Sequence, residues 1–189
     1  TGGVGAGKST VLNYLEKRYG AKLILADLVG HEVMEPGHEA YEQVVKVFGQ
    51  EIVSEDKTID RKALGAIVFA DEKKRMILNL IIHPAVRHEI LRRLEEAELS
   101  HLSYVVVEAA LFLEENYDAF CDETWYIYTD EKIRRQRLKE SRGYSDERID
   151  QIFRSQKTHE EFQKRCLFMI DNNGSEEETF RQIDRRMKK

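Results

Sequence analysis

Gly2-Gly3-Val4-Gly5-Ala6-Gly7-Lys8-Ser9, followed by Thr10, is the stretch whose reading decides the fold. It matches G-x-x-x-x-G-K-[ST], the loop that wraps phosphates between a strand and a helix. Glycines let the backbone turn its N–H groups inward around phosphate oxygens. The helix that starts near Lys8 aims its N-terminus at the same charge. This predicts a nucleotide-binding segment of Gly3, Val4, Gly5, Ala6, Gly7, Lys8, Ser9 and Thr10. Lys8 would reach the β and γ phosphates, and the Ser9 hydroxyl would ligate Mg²⁺. The bland alternative is an ordinary turn before a helix, but four glycines, the lysine and the serine all fall in register. A strand is expected to precede the loop and anchor it.

Outward from the loop, strand and helix patterns alternate. Lys22–Ala26, Tyr104–Glu108, Thr124–Tyr128 and Leu167–Ile170 are short, apolar and rich in β-branched or aromatic residues, so they read as buried strands. Lys8–Tyr19 is helical, with Val11, Leu12 and Leu15 on one face. Asp130–Arg142 follows Thr129, an expected N-cap. Ser145, and the capping boxes Thr158-x-x-Glu161 and Ser175-x-x-Glu178, open further helices. Such alternation implies a parallel sheet with helices on both faces. Residues 28–100 show little strand character, and a βαβ unit needs only about thirty residues. They read as an inserted helical domain, in which Pro84 marks a kink or the first turn of a new helix. The expected fold class is therefore α/β, a three-layer fold of the P-loop nucleoside-triphosphate-hydrolase type, with this insertion and a helical lid. The expected core is 1–27, 101–133 and 157–189, with an acceptor domain at 28–100 and a lid at 134–156.

Composition sets the outer bounds. The 189 residues carry 30 Lys and Arg against 35 Asp and Glu, a net charge of −5. That disfavours a broad nucleic-acid or anionic-membrane surface. No apolar run approaches the ~20 residues of a membrane span, so the expected setting is cytoplasmic. Cys121 and Cys166 lie far apart, which argues against a zinc site or disulfide framework. Only 2 prolines occur where about nine are usual, which favours helices.

The loop by itself does not name a reaction. Asp27-Leu28-Val29-Gly30 spells the DxxG of GTPases, but it comes 19 residues after Lys8, too soon for a switch loop, and no [NT]KxD follows. A kinase explains Asp27 better. In doubly wound sheets ligands bind beyond the carboxyl ends of strands, where Asp27 could orient or deprotonate an attacking hydroxyl. Capping the next helix is the equal alternative. Lys132–Arg142 holds six bases and one acid, which suits a lid closing over phosphates or, for most of these residues, a solvated helix face.

Taken together, these motifs resemble the dephospho-coenzyme A kinase family. Thr1–Thr10 is similar to its TGGIGSGKST, and Leu25-Ala26-Asp27 to its D-A-D. Glu35-Pro36-Gly37, Phe48-Gly49, Asp60-Arg61 with Leu64 and Phe69, and His83-Pro84 with Arg87 keep the family order. Ala110-Leu111-Phe112-Leu113-Glu114 resembles PLLFE. Gln136-Arg137-Leu138 with Arg142, then Gln156, resemble the lid, and Asp171-Asn172-Asn173-Gly174 the loop near adenine. The resemblance implies ATP-dependent phosphorylation of the ribose 3′-hydroxyl of dephospho-CoA, the last step of coenzyme A synthesis. It implies Asp27, Lys8, Arg137 and Arg142 as catalytic, and Asn173 at the nucleotide. Arg61, His83, Glu108, Leu111 and Asp27 are implied at the acceptor, and Glu108 could also hold a Mg²⁺-bound water or cap a loop. ATP and dephospho-CoA are then the partners, with Mg²⁺, no nucleic acid and no membrane, in a monomer or small homo-oligomer. The chain departs from the family pattern at Leu25, Ala110 and Cys166-Leu167. Remaining alternatives are a P-loop kinase of a nucleoside monophosphate or shikimate type acceptor, or a nucleotide switch without phosphotransfer.

Overall fold

The computed structural model describes residues 1–188. Their order is α1 (Lys8–Tyr19), β1 (Lys22–Leu25), α2 (Ala26–Glu32), α3 (Glu39–Phe48), α4 (Arg61–Ala70), α5 (Glu72–Leu99), β2 (Val105–Glu108), β3 (Trp125–Tyr128), α6 (Glu131–Arg142), α7 (Asp146–Ser155), α8 (His159–Arg165), β4 (Phe168–Asp171) and α9 (Glu176–Met187). Short 3₁₀ turns occupy Gln50–Ile52 and Tyr117–Phe120. The chain divides into two compact units, one of Thr1–Leu23 with Glu108–Lys189, the other of Ile24–Val107. β1 and β2 pair in one two-stranded sheet, and β3 and β4 in another.

In the first unit, β3 and β4 run parallel, with Trp125 opposite Phe168 and Tyr128 opposite Asp171. Thr1 continues this ladder on the other side of β3. Its nitrogen donates to Trp125 O at 2.8 Å, and its carbonyl accepts from Ile127 N at 2.9 Å. One residue bonded to two partners spaced by two is the parallel pattern. The residue that enters the glycine loop therefore runs within the sheet. α8 covers β3 by stacking Phe162 on Tyr126, with centroids 4.6 Å apart. α9 packs on α1, where Tyr14 stacks on Phe180 at 3.9 Å and both Tyr14 and Tyr19 donate to Asp184.

The second unit is helical except for its strand edges and an isolated antiparallel bridge, Val53 with Ile59. Val44, Phe48, Ile52, Ile59 and Leu64 form its buried cluster. α5 packs against α2, α3 and α4. It is one helix of 28 residues that passes through Pro84, so the break or fresh start expected there does not occur. A proline inside a helix forfeits one backbone bond, here the one to Leu80 O, and both Leu80 and Pro84 are exposed to water that can replace it.

Most sequence signals stand. α1 has the expected bounds, and Ser145, Thr158 and Ser175 cap α7, α8 and α9, the last two in full capping boxes. Thr129 differs. Asp130 is the N-cap of α6, and the Thr129 hydroxyl instead donates inward to Ala6 O at 3.0 Å and lies 3.3 Å from Asn172 O. Ala26 begins α2 rather than ending a strand. Residues 134–156 fall within the first unit. No helix among the described residues is long and apolar enough to cross a membrane.

Candidate functional site

The glycine loop takes its shape from backbone that only glycine adopts readily. Gly2 has φ 151°, and a Cβ there would lie 2.5 Å from Ile127 O. Gly7, at φ 86°, is the N-cap of α1 and leaves the first-turn amides without a side-chain cap. Those amides and the helix dipole make an anion site. Ala6 N donates to Gly3 O and Thr10 N to Gly7 O, each at 3.1 Å.

Lys8 spans the mouth of the loop. Its Nζ donates to Gly2 O at 3.0 Å and lies 3.5 Å from Glu108 Oε1, with both side chains mostly buried. Ser9 is exposed one residue further along α1. Among the described residues no cluster of three or more His, Cys, Asp or Glu could hold a metal ion. Mg²⁺ at phosphates needs no such cage. It keeps waters and takes one or two protein oxygens. The Ser9 hydroxyl and the Glu108 carboxylate are hard oxygen donors of that kind, so the donor set fits.

A cleft of about 210 Å³ opens at the other end of the loop, lined by Gly7, Thr10, Arg137, Asn172, Gly174 and Glu176. Arg137 donates to Asn172 O at 3.1 Å and to Thr129 Oγ1 at 3.5 Å. Asn172 is the buried keystone. Its Nδ2 donates to Ala6 O at 2.7 Å, and its Oδ1 accepts from Thr179 Oγ1 at 2.7 Å. Asn173 points elsewhere, accepting from Asp130 N and donating to Asp171 Oδ1, each at 2.7 Å. Arg142 is exposed at the end of α6, with its guanidinium 5.8 Å from the Tyr144 ring, and a hydrogen bond from it pulls the Tyr144 phenol pKa down.

Glu108 ends β2, and Leu111 lies 46% exposed in the following turn. That turn is latched by Arg165, which donates to Leu113 O at 2.7 Å, Asn116 Oδ1 at 3.1 Å and Asp118 Oδ1 at 2.6 Å. The remaining expected residues belong to the helical unit. Asp27 is exposed in the first turn of α2, with no hydrogen-bond or ion-pair partner among the described residues. It does not cap that helix, whose N-cap is Leu25. Arg61 opens α4 after its N-cap Asp60 and pairs with Glu35 at 3.5 Å. His83 is half-buried in α5.

The loop, Glu108, Arg137 and Asn172 thus share one unit, and Asp27, Arg61 and His83 share the other. Sequence reasoning missed Asn172 and Thr129. The Asp171–Gly174 motif contains both asparagines, and only the fold distinguishes their contacts. Arg134, one of six bases in its helix, carried no signal of its own contacts with the loop.

A sequence model of the dephospho-CoA kinases matches residues 1–178. The chain belongs to the dephospho-CoA kinase family. A dephospho-CoA kinase from Oceanobacillus iheyensis is 41% identical over 191 aligned positions, covering 100% of this chain and 94% of that one. Another, from Shouchella clausii, is 38% identical over 97% of this chain and 92% of its own. Among solved structures, dephospho-CoA kinase from Campylobacter jejuni superposes with a TM-score of 0.74 at 26% identity, covering 99% of this chain and 92% of that one. A Thermus thermophilus protein gives a TM-score of 0.77 at 28% identity, over 99% and 93%. The architecture is that of these kinases, α/β with parallel strands and many helices. The dephospho-CoA kinase family retains its fold here despite Leu25, Ala110 and Cys166-Leu167.

Proposed function

We propose that this chain transfers the terminal phosphoryl group of ATP to the ribose 3′-hydroxyl of dephospho-CoA, in the cytoplasm. The observation that carries the reading is the intact phosphate loop, with Lys8 across its mouth and an uncapped α1 behind it, in a chain of this family. Phosphoryl transfer leaves little covalent chemistry to the protein, so positioning and charge decide the rate. The loop amides and Lys8 hold the phosphates and neutralise charge as it moves to the leaving oxygen. Arg137, at the cleft beside Gly7 and Thr10, holds the nucleotide, and the exposed Arg142 is available to incoming phosphates. Ser9, with Glu108 through a water, would hold Mg²⁺, which would supply Lewis-acid charge to the phosphates. Asp27, exposed and uncommitted, orients the acceptor hydroxyl and takes its proton. We assign residues 28–100, with Arg61 and His83, to the acceptor, together with Leu111.

The test is ADP release with dephospho-CoA, AMP, shikimate or no acceptor. Stimulation by dephospho-CoA alone, with coenzyme A as product, is expected. Equal release without acceptor, or preference for another one, refutes the reading.

A further inference from the structure

One residue of the loop is gripped from outside the phosphate site. Val4 N donates to Gln156 Oε1 at 3.2 Å, and Val4 O accepts from Arg134 Nε at 2.9 Å. Arg134 Nη2 donates to the same Gln156 oxygen at 2.5 Å, closing a ring of three bonds. Arg134 comes from α6, and Gln156 is the C-cap of α7. The face of Phe153 supports the guanidinium at 4.3 Å. The guanidinium also fills the space beside Gly3, where a Cβ would come within 2.4 Å of Nη2.

Arg134 is unusual among its neighbours. Arg135, the next residue, pairs with Glu131, Asp146 and Asp150. Arg134 is half-buried, and none of the described carboxylates lies within ion-pair distance of it. Burial lowers its pKa. A cation held this way is costly unless its geometry is used, and the planar guanidinium supplies a geometry that lysine lacks.

The grip has a directional consequence. In a trans peptide the carbonyl and the next N–H point in opposite directions. Val4 N–H turned to Gln156 sends Gly3 C=O the other way, where it accepts from Ala6 N at 3.1 Å. Val4 C=O turned to Arg134 likewise sends Gly5 N–H away from Arg134. Lys8, the residue of this motif that reaches the β and γ phosphates, has its Nζ on Gly2 O, across the mouth of the same loop.

We infer that Arg134 and Gln156 are positioning residues of the nucleotide site, which clamp Val4 so that the Gly5 amide faces the β and γ phosphates. This rests on the ATP-binding part of the proposed function and not on the identity of the acceptor.

The experiment measures Kd for ATP and for AMP, without acceptor, in Arg134→Met, Arg134→Lys, Gln156→Leu, Gln156→Glu and the Arg134→Met/Gln156→Leu double variant. Losing an oriented amide at phosphate is expected to weaken ATP about tenfold in Arg134→Met and Gln156→Leu. AMP, which lacks the β and γ phosphates, stays within about twofold. The double variant is no worse than the weaker single, since either change opens the ring. Gln156→Glu keeps the acceptor oxygen and stays near wild type, and it tests the clamp if the larger changes unfold the chain. Arg134→Lys, with the charge but not the fork, is as weak as Arg134→Met. The inference is overturned by unchanged ATP binding in both truncations, by parallel loss of ATP and AMP, by loss in Gln156→Glu equal to that in Gln156→Leu, by additive losses in the double variant, or by recovery in Arg134→Lys. Coenzyme A formation by the wild type alongside unchanged ATP affinities would sink the clamp alone. An intact clamp without coenzyme A formation would sink the acceptor alone.

Discussion

Replacing Asn172 with alanine should damage stability and nucleotide binding together. Its side chain joins the loop to α9 through two short bonds, to Ala6 O and from Thr179 Oγ1. Neither partner is orphaned by the change. Ala6 O keeps the Thr129 hydroxyl at 3.0 Å, and the Thr179 hydroxyl keeps Ser175 O at 3.3 Å. The loss is therefore the net worth of two neutral hydrogen bonds, about 1 kcal/mol each, plus about 1 for the vacated volume, or about 3 in all. In a chain of this size roughly 2–4 °C of Tm accompanies each kcal/mol, so Tm should fall by roughly 6–12 °C. Asn172→Asp preserves the volume but turns an oxygen on Ala6 O and buries a charge, so it should cost more than alanine at neutral pH. Freed from its anchor, the Ala6 peptide loosens next to Gly7, and Kd for ATP should rise several-fold. Thermal melts and nucleotide titrations of Asn172→Ala, Thr179→Val and the double variant measure both effects, and the cycle isolates a coupling of about 1 kcal/mol. A Tm within about 2 °C of wild type would refute the keystone assignment.

Other perturbations test separate parts of the molecule. Gly2→Ala should cost at least about 3 kcal/mol, from the clash with Ile127 O and the strained φ. Gly20→Ala, at φ 65° with open space around it, should cost only about 1 kcal/mol in chemical denaturation. Asp27→Asn should cut kcat by roughly 10²–10⁴ with Kd for ATP unchanged, and normal turnover would remove Asp27 from the mechanism. Hydrogen bonds from Arg92 and Arg93 hold Glu89 at a pKa of about 2. Its unfolded value is about 4.3, so this stabilisation is complete above that pH and fades as pH falls toward 2. Glu89→Gln should therefore flatten the acid limb of a stability–pH profile, and an unchanged limb would show that the pair does not matter.

Local rules carried far along this chain because its signals are short-range. A capping box spans four residues, so Thr158 with Glu161 and Ser175 with Glu178 could be read directly. The glycine loop is likewise legible locally, since its glycines permit the positive φ angles that Gly2, Gly5 and Gly7 adopt. Thr129 looked like a cap for the same reason, and it failed because a distant carbonyl, Ala6 O, offered its hydroxyl a buried partner. Pro84 looked like a boundary, and packing of α5 against α2, α3 and α4 carried the helix through it. Packing of that kind outweighs the ~3 kcal/mol that a proline costs an isolated helix.

Sequence alone therefore determined the loop, the alternation, the caps and the family resemblance, because each depends on neighbours along the chain. Only the tertiary structure decided which asparagine of Asp171–Gly174 holds the loop and which arginine of α6 grips Val4. Those choices join residues 166 and 130 positions apart, and they turn on which side chain faces inward once β3, β4 and α6 are in place. Hydrogen bonds of that reach leave no trace in local composition, since either asparagine and any of the arginines would satisfy the same motif.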